Sequence, residues 1–274
     1  MAGHSKWANI KHKKARTDAQ KGKIFTKLGR EIIVAAKAGG GDPNTNFRLK
    51  VAVENARAAN MPNDTIQRAI QKGTGAVGAE QLEELRYEGY APGGVAVMVD
   101  VTTDNRNRTA GEMRHLFSKN GGNMGEEGSV SWMFSRKGQI SVTKEALAEA
   151  VGWARVVRSA GEARSAEGAA AMNEDEFMML ALEAGALDID VQEENFEVFT
   201  EADDMEKVLR GVSEQGIPIQ EAQINLIPGN LVEVADMEQA RKIITLIEAL
   251  EDHDDVQKVS TNFELADSLK AEDL

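Results

Sequence analysis

At 274 residues and 42% hydrophobic content the chain exceeds one ordinary domain and has the composition of a folded soluble protein, so two or three compact units are expected. Its formal charge of −13 hides a split, with 15 Lys/Arg against 5 Asp/Glu in residues 1–72 and 17 against 40 in the remaining 202. The absence of cysteine excludes disulfides, thiolate metal sites and a cysteine nucleophile, and the lack of a membrane-length apolar run or a signal-peptide core predicts a cytoplasmic protein without a membrane partner.

The leading stretch, residues 1–23, reads MAGHSKWANIKHKKARTDAQKGK, in which only Asp18 opposes the cations. Its apolar content is too low to pack, so a flexible basic arm is expected. Lysines and arginines that neutralise phosphates release condensed counterions, and an exposed aromatic ring stacks on a base. DNA or ribosomal RNA is therefore the expected partner. The candidate contacts are Lys6, Trp7, Lys11, His12, Lys13, Lys14, Arg16, Lys21 and Lys23, with Lys27 and Arg30 continuing into the first helix.

A helical domain is predicted over 24–78. Ile24, Phe25, Leu28, Ile32 and Ala35 recur at steps of three and four, which predicts a helix over Lys21–Ala38. Two more are predicted over Thr45–Ala59 and Pro62–Lys72, with Gly73 as a helix end. The triplet Gly39-Gly40-Gly41 follows a helix and lacks the Lys-Ser/Thr of a phosphate loop, so a turn is the better reading. Gln67, Arg68 and Gln71 on the third helix come closest to a base-reading face.

Beyond the glycine-rich linker Gly73–Gly78 the period changes to two. Strands are predicted at Leu85–Tyr90, Val95–Thr102 and Ser129–Phe134, with a helix over Arg108–Lys119. Next come a strand at Gln139–Thr143, a helix at Glu174–Ala184, strands at Leu187–Val191 and Phe196–Thr200, a helix at Asp203–Glu214 and a strand at Ala222–Ile227. That order is βαββαβ, the ferredoxin-like arrangement. The chain closes with strand Leu231–Val234, helix Met237–Leu250 and strand Val256–Phe263, which need sheet partners that the 79–135 segment can supply.

The fold class is thus α/β (α+β) in three domains. A helical domain precedes a discontinuous middle domain, 79–135 plus 229–265, into which a ferredoxin-like domain, 136–228, is inserted. Within the insert, 144–172 is longer than a compact crossover requires and carries a helix-forming run with Val151, Trp153 and Val157. Residues 266–274 form a charged tail.

Thr103-Asp104-Asn105-Arg106-Asn107-Arg108 follows a strand, and its arginines suit a phosphate, although Asp104 or Asn105 also suits a helix cap. The loop Gly121–Gly128 holds four glycines and an expected exposed Met124, and is the candidate for a mobile second contact through Asn123, Met124 and Glu126. Glu126 and Glu127 are adjacent and point apart on an extended backbone, a poor acid/base pair. His4, His12, His115 and His253 stand in no metal-ligand spacing. With no nucleophile triad and no nucleotide fingerprint, no enzyme, metal, cofactor or small-molecule substrate is expected.

Three long stretches carry a family resemblance: AGHSKWANIKHKKARTDAQKGKIFTKLGREI, AAKAGGGDPNTNFRLKVAVENARAANMPNDTIQRAIQKGTG and YEGYAPGGVAVMVDVTTDNRNRTAGEMRHLFSKNGGNMGEEGSVSWMFSRKG. In these the chain resembles the YebC/PmpR family, which has a mitochondrial relative, the translational activator of cytochrome oxidase. The resemblance implies a cytoplasmic three-domain α/β protein and a DNA-binding transcriptional regulator. The alternative it implies is a ribosome-associated translation factor that relieves stalling at proline-rich stretches. Ala91 stands where glycine is usual in the YEGYxPGG turn, and the 144–172 segment is longer than is typical for the family.

Overall fold

The computed structural model describes residues 18–78, 81–147, 172–266 and 268–269, with side chains in the first helix from residue 22. The basic arm to residue 17, the 148–171 stretch with Val151, Trp153 and Val157, and residues 270–274 of the tail lie outside the described residues. The chain forms two compact units. One contains the described residues up to Ser135 and from Leu226 onward, and the other is Arg136–Asn225.

Helices α1 (Asp18–Gly39), α2 (Phe47–Ala58) and α3 (Asn63–Gly73) open the chain. Strands β1 (Glu83–Ala91) and β2 (Val95–Thr103), helix α4 (Arg106–Lys119) and strands β3 (Asn123–Met124) and β4 (Phe134–Thr143) follow. Then come α5 (Glu174–Ala184), β5 (Asp188–Val191), β6 (Asn195–Glu201), α6 (Met205–Ser213) and β7 (Glu221–Pro228). The last elements are β8 (Val232–Val234), α7 (Met237–Glu251), β9 (Val256–Thr261) and β10 (Phe263–Leu265).

The helical periodicity of α1 to α3 closes a core of Ile32, Ala35, Ala36, Leu49, Val53, Ala56, Ile66 and Ile70. The glycine triplet is a turn. The buried side chain of Asn46 caps α2 by accepting from the Leu49 N–H at 3.1 Å, and it donates to the carbonyls of Ala35 and Gly40 at 2.8 Å each. An amide donor occupies those carbonyls, which is the opposite of an anion cradle. At the end of α3, a Cβ on Gly73 would lie 2.4 Å from the Ile33 carbonyl oxygen and 2.7 Å from the Ala36 Cβ. Gly73→Ala should therefore destabilise the unit by about 1–3 kcal/mol through overpacking, read as a lower urea midpoint with an unchanged slope.

The first sheet has the order β3-β1-β2-β9 with antiparallel pairs, for example Tyr87 opposite Val99 and Val99 opposite Val259. Strand β2 is central and almost wholly buried, which explains its apolar run Val95–Val99. Helices α4 and α7 cover one face, where Met113, Phe117, Ile243, Leu246, Ile247 and Leu250 pack on Val97, Val99 and Val101. Ala96 and Met98 face the other way, toward Val130 and Phe134.

Three strand expectations are corrected here. Ser129–Phe134 is not a strand. A buried carboxylate, Glu88, draws in the N–H groups of Gly128, Val130 and Ser131, which curls the segment into a 3-10 turn at Ser131–Met133, and β4 starts only at Phe134. Val256–Phe263 breaks at Asn262, whose buried side chain accepts from the Ala96 N–H at 2.7 Å while its carbonyl accepts from the Val232 N–H at 2.7 Å. Past that residue the chain leaves β2. It pairs in parallel with β8, so β8 finds its partner in β10 and not in the 79–135 segment.

The second unit carries the order β5-β6-β4-β7, with β6 antiparallel to both β4 and β5. With α5 and α6 this is the βαββαβ, ferredoxin-like arrangement. Ile140, Val142, Phe177, Ala181, Phe196, Val198, Val208 and Val212 are buried, and the Phe177 and Phe196 rings lie 4.9 Å apart. A reciprocal Asn173/Glu176 capping box starts α5, and Gly185 in the left-handed region ends it. Among the described residues no helix is long and apolar enough to cross a membrane.

Candidate nucleic-acid interface

Lys6, Trp7, Lys11, His12, Lys13, Lys14 and Arg16 lie outside the described residues, and Lys21 is placed by its backbone alone, in α1. The remaining three predicted contacts sit at i, i+4 and i+7 of α1, which puts them on one face. That face meets the C-terminal end of α7. Lys23 pairs with the Asp252 carboxylate, and the Lys27 ammonium donates to the Glu251 carbonyl at 2.6 Å. Arg30 donates from Nη1 to the carbonyls of Asp254 at 2.7 Å and Thr102 at 3.1 Å, and to Asp255 Oδ1 at 2.8 Å. The last carbonyls of a helix lack intrahelical partners and carry the negative end of its dipole, so Lys23 and Lys27 complete the end of α7, while Arg30 binds the turn beyond it and the end of β2. Lys23, Lys27 and Arg30 thus hold the helical part onto the first sheet.

At the centre of this contact Asp255 is 2% exposed. Its Oδ2 accepts from Arg108 Nη2 at 2.7 Å, Thr109 Oγ1 at 2.7 Å and Thr103 Oγ1 at 3.1 Å, while Oδ1 takes Arg30. Burial alone would raise its pKa, but hydrogen bonds from Arg108, Thr109 and Arg30 outweigh that and hold the carboxyl at about 2. The 103–108 turn serves this hub. Asn105 Oδ1 caps α4 by accepting from the Arg108 N–H at 3.1 Å, and the Arg108 guanidinium is shared between Asp255 and Asp104. Both arginines considered for a phosphate are exposed, and of the two only Arg106 is without such a carboxylate partner among the described residues.

Glu112, His253 and Asp255 bring ligand atoms within 4.8 Å of one another. They do not fit a metal. His253 Nδ1 accepts from the Asp255 N–H at 3.1 Å, which leaves Nε2 to face Glu112 at 2.8 Å, and the Asp255 oxygens are occupied by two guanidinium groups and two hydroxyls. A cation there would have to displace two cations already in place.

Toward solvent the helical part presents Lys50 and Arg57 on α2 and Gln67, Arg68 and Gln71 on α3, all exposed. Arg48, also exposed, is instead paired with Glu31 at 2.9 Å and Glu84 at 2.5 Å.

The Gly121–Gly128 loop is tied down along its length. Asn123 and Met124 pair with Tyr90 and Gly89, and the Gly125 N–H donates to the Glu88 carbonyl at 2.8 Å. The Glu88 carboxylate takes Gly128 at 2.9 Å, Val130 at 2.7 Å and Ser131 at 2.9 Å. Burial would raise the pKa of Glu88, yet these three backbone donors lower it below the ordinary value. Met124, expected exposed, packs on the core, whereas Asn123 and Glu126 are exposed. Glu88→Gln should lose about 2–3 kcal/mol of stability, because an amide nitrogen cannot accept the N–H bonds of the carboxylate oxygen it replaces, and the loop should become susceptible to limited proteolysis. The Asp255 hub and the Glu88 nest escaped sequence reasoning, because each joins residues far apart in the chain. Glu88 shares its strand with Glu83, Glu84 and Arg86, so no local signal singled it out.

Comparison with known proteins places these features. The family model described as TACO1/YebC protein N-terminal domain matches residues 5–76, and the one described as TACO1/YebC second and third domain matches 82–263. A protein of Desulfitobacterium hafniense named "Probable transcriptional regulatory protein" is 60% identical over 274 residues, all of both chains. One of the same name from Syntrophomonas wolfei is 50% identical over 99% of each chain. The crystal structure of a conserved hypothetical protein, Aq1575, from Aquifex aeolicus superposes with a TM-score of 0.79 at 47% identity, covering 96% of this chain and 98% of that one. Matched from the basic arm through β10, with relatives of equal length, the chain belongs to the TACO1/YebC family.

Proposed function

We propose that this protein is a nucleic-acid-binding regulator of gene expression that acts on DNA in transcriptional control, with the basic N-terminal arm as its principal contact. The charge division carries the reading: residues 1–72 hold 15 Lys/Arg against 5 Asp/Glu, and the other 202 hold 17 against 40, so phosphate is attracted to one end and repelled elsewhere. The names of the relatives support the regulatory part. Because Lys23, Lys27 and Arg30 serve the docking of α1, the binding surface consists of the arm residues Lys6, Trp7, Lys11, His12, Lys13, Lys14, Arg16 and Lys21, continued by the exposed Lys50, Arg57 and Arg68. In the Gly121–Gly128 loop Asn123 and Glu126 are the second contact, and Met124 anchors the loop beneath them.

The test compares the full chain with a variant lacking residues 1–23 in anisotropy titrations of labelled duplex DNA, single-stranded RNA and ribosomal subunits. A loss of at least about tenfold on DNA is expected, since several phosphate contacts go at once. Equal affinity of the two proteins for every probe would overturn the reading. Tighter binding to ribosomal subunits than to DNA, with co-migration in a lysate gradient, would replace transcriptional control by a role in translation.

A further inference from the structure

Helices α4 and α7 lie together on one face of the first sheet, and the last turn of α4 meets the first half of α7 around a shallow depression of about 550 Å³. Position 119 ends α4, and positions 238, 241, 242 and 245 share one face of α7. The rim holds three exposed cations, Lys119, Arg241 and Lys242, and one acid, Glu238. The Lys242 ammonium already neutralises that acid, at 2.7 Å from Glu238 Oε1. This balance runs against its surroundings. Segments 79–135 and 229–265 together carry 8 Lys/Arg against 18 Asp/Glu, so a strongly acidic body concentrates cations at one concave place.

We propose that this depression is a second phosphate-binding site, which takes the backbone of the same nucleic acid that the arm binds. The inference rests on the proposed nucleic-acid function. A concave surface on which cations outnumber acids three to one attracts a counter-ion, and because Lys119 comes from α4 while Arg241 and Lys242 come from α7, an anion seated there meets cations of two helices. The Thr245 hydroxyl donates to the Arg241 carbonyl at 2.8 Å, so it serves the helix and leaves anion recognition to the cations. An acidic body that would otherwise be pushed away from a polyanion gains an orientation in which it is held.

The experiment uses the full chain and three variants. Lys119→Gln/Arg241→Gln/Lys242→Gln removes the cations without placing a new acid beside Glu238, Lys11→Glu/Lys13→Glu/Lys14→Glu alters the arm, and Lys207→Gln/Arg210→Gln on α6 is a control on the other unit. Anisotropy titrations of labelled duplex DNA and single-stranded RNA over a range of salt are read together with thermal melts. The rim variant is expected to melt like wild type, to bind at least about tenfold more weakly, and to reduce the salt slope by about one to two, one step per lost phosphate contact. The control is expected to change affinity less than about twofold. A rim variant that binds like the control while the arm variant is impaired overturns this inference and leaves the function standing. Unimpaired binding by both rim and arm variants overturns the function itself. Calorimetric titration with inorganic pyrophosphate separates the sources of the anion. Heat that vanishes in the rim variant, with nucleic-acid affinity unchanged, overturns the backbone assignment in favour of a free phosphate ligand.

Discussion

Asp255→Asn is expected to lower the stability of the unit carrying the first sheet by about 3 kcal/mol, which makes it the most damaging single substitution considered. The Asp255 side chain is 3% exposed and sits between two guanidinium groups and two hydroxyls, so an amide in its place leaves Arg30 and Arg108 facing a neutral group, with an NH2 pointed at donors. The value falls at the low end for a broken buried pair because Arg30 and Arg108 reach solvent, at 20% and 43% side-chain exposure. The same carboxylate sets an acid limit. Its folded pKa of about 2 lies below the ordinary 3.8, so its stabilisation is fully present above pH 4 and is lost as pH falls toward 2, an amount of roughly 2 kcal/mol. Urea unfolding at pH 7 and at steps from pH 4 down toward 2 checks both statements. An Asp255→Asn protein with wild-type midpoints at neutral pH would show that the hub contributes nothing.

Reversing the arm charges, Lys11→Glu/Lys13→Glu/Lys14→Glu, is expected to weaken nucleic-acid binding by at least about tenfold and to lower the salt slope by about one unit per lost phosphate contact. The unfolding midpoint should stay where it is, since residues 1–23 have too little apolar content to contribute to a core. Trp7→Ala separates stacking from packing. A ring stacked on a base gives a loss of roughly 1–3 kcal/mol in affinity at constant salt slope, because no charge is removed. A ring docked in the protein instead gives a lower melting temperature with affinity intact. Measuring affinity, slope and melting on the one protein decides which role the ring has.

Much of the architecture was legible from local pattern. The three-and-four spacing of Ile32, Leu49, Val53, Ile66 and Ile70 marked three helices, and they close one core. The run Val95–Thr102 became the central strand, Met237–Leu250 became α7 with one residue added, and Glu174–Ala184 became α5 with the same ends. These readings succeed because each element buries one face, and the burial imprints a period on consecutive residues. The segment 129–134 shows where this stops. Its residues have strand propensity, but the Glu88 carboxylate, about 40 residues earlier in the chain, offers its N–H groups stronger partners than a neighbouring strand would.

The basic face of α1 makes the same point for the candidate site. From sequence Lys23, Lys27 and Arg30 are indistinguishable from Lys11 or Lys14, as cations in a cation-rich stretch. Their partners, Asp252 and the carbonyls of Glu251 and Asp254, lie more than 220 residues away, and a charge run carries no mark of which opposite charges it will meet. By itself the sequence determined the family, the element types, the ferredoxin-like order and the sign of charge at each end, all of which reside in neighbouring residues or in composition. The tertiary structure alone decided which cations serve docking, that Met124 points inward, that Asn262 turns the chain from one sheet to another, and that three cations from two helices meet at one depression. Those are products of long-range contact, where hydrogen-bond geometry and desolvation choose among many chemically equivalent side chains.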